Sequence, residues 1–374
     1  MNRSLVAVGL AAALLLSGCT PAPGSIVSSP TPEAPSPTPT PTPTVEPILA
    51  PTPLLDLDCD SLVGDGISTL FTGGVEPHDP AQTIAEAGTP VPYKFAVDQL
   101  GGLTCEWSNG VPQSDKTGSD PDYIGFAVSV APVTEQQWSL FRDYYEVKKN
   151  RQSYCFTDTG FFCAADIFAG DAWWIEVQAT GMDTVSAKAL TKTFNGVVDG
   201  LVASVTGATE SGTPWSAPEG TIALGGCDSI LSPKAASTAI GGAPVEILNP
   251  EGGVSLDSTA RTELEALWCL YPITDTDDAV GTLTWLPGGE WAWNEASQFD
   301  LPGGEPTPLD VAGLIADDGD GAWTRCSGDT CEVDLVVGHN WINFSLASSN
   351  SGGANEGAPV LEKIAASIVS AVRS

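Results

Sequence analysis

Apolar and polar positions alternate along this chain in two registers, separated by stretches with no register at all. YIGFAVSVAP (residues 123–132) and VGTLTWLP (280–287) are short, apolar-rich runs that predict strands. Further strands are predicted through Leu103, Cys105 and Trp107, over Leu267 to Tyr271, over Phe162 to Phe168 and Trp173 to Ala179, and over Glu332 to Val337 and Trp341 to Ala347. A helical period appears instead in TEQQWSLFRDYYEV, which spaces Trp138, Phe141, Tyr145 and Val147. It appears again in two longer stretches: Val185, Ala189, Phe194, Val197, Val198, Leu201 and Val205 share one side, as do Val360, Leu361, Ile364, Ile368 and Val372. Asp60 to Phe71 and Asp228 to Ile240 carry shorter helical patterns, each opened by a residue able to cap.

These elements occur in the same order twice. CDSLVGDGISTLFTGG from Cys59 resembles CDSILSPKAASTAIGG from Cys227, and each copy holds four cysteines: Cys59, Cys105, Cys155 and Cys163, then Cys227, Cys269, Cys326 and Cys331. The first-to-third spacings are 96 and 99 residues. Gly170 and Gly338 both lie seven residues after the last cysteine of their set, and Trp173 and Trp341 both lie ten after it, which predicts that these tryptophans are equivalent. The expected architecture is α+β: two tandem homologous domains, each an antiparallel sheet packed by helices and held by two disulfides. Residues 56–205 form the first domain, 206–220 a linker rich in Gly, Pro, Ser and Thr, and 221–374 the second.

The repeat also bears on LTWLPGGEWAW (283–293). By itself this stretch suggests a hairpin presenting Trp285, Trp291 and Trp293 as an aromatic platform for a sugar. The first copy continues as a helix at the same distance from its proline, so the tryptophans are expected to pack helix against sheet.

Nine cysteines leave one without an intramolecular partner. Met1 to Arg3 supply a positive charge, Leu5 to Leu16 are apolar, and Ser17 and Gly18 are small, the layout of a secretory signal peptide over residues 1–18. Leu16, Ser17, Gly18 and Cys19 resemble a bacterial lipobox, which implies a diacylglyceryl group on Cys19 and a tether to the outer face of the cell membrane. Residues 19–55, with proline at nearly every second position between Pro35 and Pro43, cannot form a core and are read as an extended stalk. Outside the cytosol the remaining eight cysteines would form two bridges per domain. Three pairings are possible in each; closeness in sequence favours Cys155 with Cys163 and Cys326 with Cys331, leaving Cys59 with Cys105 and Cys227 with Cys269.

A formal charge of −33 argues against nucleic acid as a partner, since binding phosphates takes Lys and Arg. The chain's one basic cluster is Arg142, Lys148, Lys149 and Arg151, a candidate contact for an anionic ligand or partner. The cysteine spacings do not suit zinc, and the aspartates of LDLDCD, TDTDD and ADDGDG do not fit the EF-hand spacing, so neither a metal nor a cofactor is expected. With two histidines, His78 and His339, at non-equivalent places, a Ser and His triad has little material, and no catalytic residue is assigned.

The lipobox, the Pro/Thr stalk, the CDS opening, the CEW at Cys105, the late cysteine pair and the closing helix resemble secreted lipoproteins of actinobacteria, many of unknown function. The layout is also similar to the two-disulfide extracellular sensor domain of mycobacterial serine/threonine kinases. The resemblance implies the fold and the membrane location and carries over no catalytic residue. The first functional reading is a membrane-anchored, non-catalytic module that binds or senses a small or hydrophobic envelope ligand between helix and sheet. The alternative is a lipoprotein that engages protein partners in the cell envelope, and an envelope hydrolase is a third reading.

Overall fold

The computed structural model describes residues 48–86, 91–111, 122–156, 161–182, 187–249, 253–299, 304–327, 330–347 and 354–374. Cys19, the leader and most of the Pro/Thr segment lie outside them. The described residues belong to one compact unit.

The first half opens with α1 (Cys59–Val63) and α2 (Gly66–Leu70). The single helix expected over Asp60 to Phe71 is broken at Gly64, whose φ of 54° no helix accommodates. There follow β1 (Glu76–His78), α3 (Pro80–Glu86), a 3-10 turn (Pro92–Phe95) running into α4 (Ala96–Gln99), β2 (Leu103–Ser108), β3 (Gly125–Pro132), α5 (Glu135–Tyr144), β4 (Arg151–Phe156), β5 (Phe162–Ala169), β6 (Trp173–Thr180) and α6 (Ala187–Gly207). The second half repeats most of the series, among the described residues without counterparts of β1 and α3 and with an added short strand β9: α7 (Cys227–Ile230), α8 (Pro233–Ala239), α9 (Leu256–Glu263), β7 (Trp268–Pro272), β8 (Ala279–Leu286), α10 (Glu290–Ala296), β9 (Thr307–Pro308), β10 (Gly321–Ser327), β11 (Thr330–Val337), β12 (Asn340–Leu346) and α11 (Ala354–Val372). Here too the expected helix is split, because the caps at Leu231 and Ser232 are extended and Pro233 starts a new one.

Each half builds an antiparallel six-stranded sheet, in the orders β1-β2-β3-β6-β5-β4 and β7-β8-β12-β11-β10-β9. The fold is therefore α+β with two helix-packed antiparallel sheets. Four disulfides staple it: Cys59–Cys105 and Cys227–Cys269 fasten the leading helices to the sheets, and Cys155–Cys163 and Cys326–Cys331 cross strand pairs.

The outer face of each sheet is covered by its closing helix. Phe194, Val198 and Leu201 of α6 meet Val128, Ile167 and Val177 of the first sheet, and Leu361, Ile364 and Ile368 of α11 meet Leu283, Val333 and Phe344 of the second. The opposite faces point at each other. A third cluster joins Ala131, Trp138, Phe168 and Trp174 of the first half to Leu286, Trp293, Val336 and Trp341 of the second. Strands buried on both faces lose their alternation, which is why Trp173 and Trp174 stand side by side, one facing α6 and the other the second half.

The shared core is built by exchange. The 3-10 turn before β2 leaves its own sheet and lies on the other, where the Phe95 ring sits 5.8 Å from Trp291 and 5.7 Å from Trp341. Gln99, fully buried, donates to the Pro287 carbonyl at 2.7 Å and accepts from the Trp291 indole at 2.9 Å. Conversely α9, with a Ser255/Ser258 capping box, packs on β6 of the first sheet. The tryptophans of LTWLPGGEWAW are buried: Trp291 and Trp293 fill the seam and Trp285 the second core.

The turn between β5 and β6 corrects the expected register. It has three residues, Gly170 to Ala172, whereas β11 and β12 are joined by Gly338 and His339 alone. Trp174, not Trp173, is thus the counterpart of Trp341; each indole donates to the aspartate three residues after the last cysteine, Trp174 to Asp166 at 3.0 Å and Trp341 to Asp334 at 2.9 Å. The Pro/Thr segment also ends earlier than its composition suggests. From Ile48 onward it is ordered against the fold, with Leu55 buried and bridged to Glu210, and the Leu54 N–H donating to the Gly101 carbonyl at 2.9 Å.

Candidate functional site

The exchange of helices leaves two equivalent clefts along the seam. One cleft, of about 340 Å³, lies between α5 and the end of α9 leading into β7, with Gln137, Leu140, Thr259, Arg261, Thr262 and Trp268 in its wall. The other, of about 210 Å³, lies between α10 and the end of α4 leading into β2. Counting from Cys105 and Cys269, Phe95, Asp98 and Thr104 of the second cleft correspond to Thr259, Thr262 and Trp268 of the first.

The contents have diverged. The smaller cleft is walled by Ala50, Pro51 and Pro53 from the N-terminal segment and holds Asp79, Asp98 and Glu295. Burial lifts the Asp98 carboxyl to about 7; a hydrogen bond from Thr104 opposes the rise, and Glu295 and Asp79 add to it. Glu295 is raised by burial and by Asp79. The larger cleft has no such wall and is mixed in character. Trp268 stacks on Tyr93 with ring centroids 6.5 Å apart, and the Arg261 guanidinium lies 4.8 Å over the same Tyr93 ring and 3.2 Å from Asp257. Gln137 ties the two sides together by donating to Glu263 at 3.0 Å.

A second feature sits on the inner face of the first sheet. Asp166 of β5 and Glu176 of β6 are directly opposite each other across the strand pair. Burial lifts Asp166 to about 6, opposed by the Trp174 indole; burial, followed by the charges of Asp166 and Asp257, lifts Glu176 to about 7, opposed by the Leu256 N–H at the start of α9 and by Gln178. The rings of Tyr145 and Tyr154 close the group. Both hydroxyls are held above their ordinary range, chiefly by burial and further by neighbours that include Asp166 and Glu176.

The same place in the second half is filled differently. Arg325 stands where Tyr154 stands, one residue before the third cysteine, and its Nη2 lies 2.8 Å from Glu332 and 2.9 Å from Asp334, all three buried. Asn343 replaces Glu176 and donates to Asp334 at 2.9 Å. The residues were visible in the sequence, but neither the pairing of Asp166 with Glu176 nor its counterpart stands out until the two copies are aligned on their cysteines.

The basic cluster singled out from the sequence does not converge. Arg142 on α5 pairs with Glu135 at 3.2 Å, while Arg151 opens β4 and turns to the outer face, pairing with Asp199 at 2.5 Å and with Asn195 at 2.6 Å on α6. Lys148 and Lys149 are exposed in the turn between α5 and β4. A helix followed by a strand that faces the other way scatters charges that are neighbours in sequence. Of the aspartate runs, Asp58 caps α1 and Asp320 accepts the N–H groups of Ile315 and Gly338. Nδ1 of His339 lies 2.8 Å from Glu290. Among the described residues, no group of three His, Cys, Asp or Glu is placed to hold a metal ion.

Four disulfides are compatible with a place outside the reducing cytosol, and no described helix is long and apolar enough to cross a membrane. No family model and no curated protein matches the chain. Among solved structures, DynU16, a protein of the dynemicin biosynthetic locus, is similar at 10% identity over 80% of this chain and 94% of that one, with a TM-score of 0.11 that supports no structural argument.

Proposed function

We propose that this protein is an extracytoplasmic lipoprotein, anchored through Cys19, that acts as a non-catalytic binding module with its ligand seat in the larger cleft between the halves. The single observation behind this reading is the asymmetry of the two clefts. One is walled by the chain's own Ala50, Pro51 and Pro53; its equivalent lies open, with an aromatic floor at Trp268, apolar sides at Leu140 and Leu267, and hydrogen-bonding groups at Gln137, Ser258 and Thr262. That mixture suits a small molecule with an apolar face and several polar groups. The leader and the lipobox-like Leu16 to Cys19 support the anchor, and the disulfides support the compartment.

The pair Asp166 and Glu176 is the feature that favours a hydrolase as the second reading. Two carboxyls working as acid and base need environments that push their pKa values apart, one ionised and one protonated. Here both rise, to about 6 and about 7, for the same reason, which fits an electrostatic seat better than a catalytic pair.

The test is native mass spectrometry of the protein taken from its own envelope fraction, with the segment from Val45 retained because Leu54 and Leu55 are bonded into the fold. A bound molecule lost on denaturation, and absent from a Thr262→Trp variant that fills the cleft, is the expected result. A bare protein mass from several preparations, with no quenching of Trp268 by envelope extracts, would remove the cleft from consideration and leave protein partners as the function.

A further inference from the structure

The two halves meet one electrostatic problem in opposite ways. In the second half the inner face of the sheet carries Asp334, with Glu332 beside it, and the charge is met from within by the Arg325 guanidinium, which is 3% exposed. In the first half the corresponding Asp166 faces Glu176, so the number of carboxylates is the same. The arginine position is occupied by Tyr154 and the Glu332 position by Ala164, and among the described residues no lysine or arginine bonds either carboxylate. Two desolvated carboxylates side by side without a cation are costly, and a protein without function there would gain by supplying one.

The first-half site is also open where the second is closed. Arg325 is sealed in, whereas Tyr145 is 44% and Tyr154 39% exposed, and Phe156 continues the aromatic surface outward along β4. That strand is the edge of its sheet, while its counterpart β10 is flanked by β9. Rings beside carboxylates attract a cation through their faces while the carboxylates bind its N–H groups.

We propose that the first half binds an external guanidinium or primary ammonium group between Asp166 and Glu176, beside the rings of Tyr145 and Tyr154, at the place where the second half holds its own Arg325. The site adjoins the larger cleft, whose Gly253 lies beside the Tyr145 hydroxyl, but its carboxylates are not part of that cleft's wall and it does not depend on the cleft having a ligand. The guanidinium or ammonium belongs to a free polyamine-like molecule or to a basic side chain of a peptide, and the chemistry of recognition is common to both.

The groups facing the site set its pH response. Asp166 on β5 and Glu176 on β6 must be ionised to hold a cation; Tyr145 after α5 and Tyr154 on β4 stay neutral; Asp257 on α9 adds negative charge, itself compensated by Arg261 and Lys94. A bound cation favours the ionised carboxylates, so binding near neutral pH releases protons and weakens as the solution is acidified.

The experiment is isothermal titration calorimetry of the full-length chain with agmatine, with an arginine-containing tripeptide, and with a neutral alkylurea of similar length as the control. Each titration is run in two buffers of different ionisation enthalpy. The expected result is saturable binding of agmatine, absent for the urea, with a heat that depends on the buffer and an affinity that falls on acidification. Glu176→Gln should weaken it about tenfold or more, the loss of one charge-assisted contact. Tyr154→Arg should abolish it by installing the guanidinium the second half already has, and should raise the denaturation midpoint. A cooperative thermal unfolding transition of the Tyr154→Arg variant shows that it folds. Tripeptide binding stronger than that of agmatine would assign the site to peptides, and the reverse order to free amines. No agmatine binding beyond the urea control, or equal binding in wild type, Glu176→Gln and Tyr154→Arg, would overturn the proposal.

Discussion

The first and second halves share the order of five strands, disulfide positions and even the hydrogen bond from a buried tryptophan to an aspartate, and yet one is closed where the other is open. The second half meets its buried carboxylates with its own Arg325, whose Nη2 reaches both Glu332 and Asp334. The first sets Asp166 opposite Glu176, with hydrogen bonds from Trp174 and Gln178 but no lysine or arginine bonded to either among the described residues. The clefts differ in the opposite sense, since the one built on the start of β2 is walled by residues 50–53 and the one built on the start of β7 is open. Duplication supplied two copies of each position, and the two inner faces have diverged in how they meet their carboxylates.

The strongest way to break this contrast is to make the second half resemble the first. Arg325→Ala strands Glu332 and Asp334 in the interior, and the expected loss is about 3–5 kcal/mol in urea unfolding. A loss below about 1 kcal/mol would mean that the network is better solvated than its burial indicates. Nearly as large is the effect of Phe95→Ala, which empties a seam contact with Trp291 and Trp341 and should cost about 3–5 kcal/mol; Thr259→Ala, at the matching place in the open cleft, should cost less than about 1 kcal/mol. Equal effects would show that the two clefts are equally packed.

The disulfides sharpen a comparison within each half. Cys227–Cys269 closes a separation of 42 residues and Cys326–Cys331 one of 5, so replacing the first pair by serines should cost about 4 kcal/mol and the second about 2 on the chain-entropy account. Thermal unfolding of the two double variants measures the order.

Smaller again is the response to pH. The folded pKa values of Asp166, about 6, and Glu176, about 7, lie above their unfolded values, so the native state binds more protons between those limits and is more stable when they are protonated. Stability should therefore rise as pH falls from about 8 to about 5, by on the order of 2 kcal/mol for the pair. Asp98 contributes with the same sign in wild type and variant alike, so the reading is the flattening of the slope in an Asp166→Asn, Glu176→Gln double variant. Least of all, Arg142→Ala should change stability by less than about 0.5 kcal/mol, because its pair with Glu135 is at the surface.

Much of the architecture was legible in the residues. The cysteines and the repeat brought out the α+β class, the two-disulfide frame and the strands from Leu103 to Ala179 and from Leu267 to Ala347, because period-2 patterns and cross-strand cysteines are local or carried by spacing. The strands at Arg151–Phe156 and Gly321–Ser327 escaped because they are polar, and in the first case the basic residues before it continued a helical-looking run. The register of Trp173 escaped because one extra residue in a turn is invisible to counting when two tryptophans are adjacent.

By itself the sequence determined most of the strands and helices, which pair of cysteines each segment could reach, and that the chain is made of two related halves, since those follow from side-chain periodicity and chain distance. Only the tertiary structure decided that the halves exchange their Pro92–Gln99 and Leu256–Glu263 segments across a common core, and that Asp166 meets Glu176 where Arg325 meets Asp334. Those outcomes depend on which faces of two twisted sheets come together and on the order of strands across them. Neither is written in any local pattern: residues ten apart along the chain become opposite only once β5 and β6 are aligned by their turn.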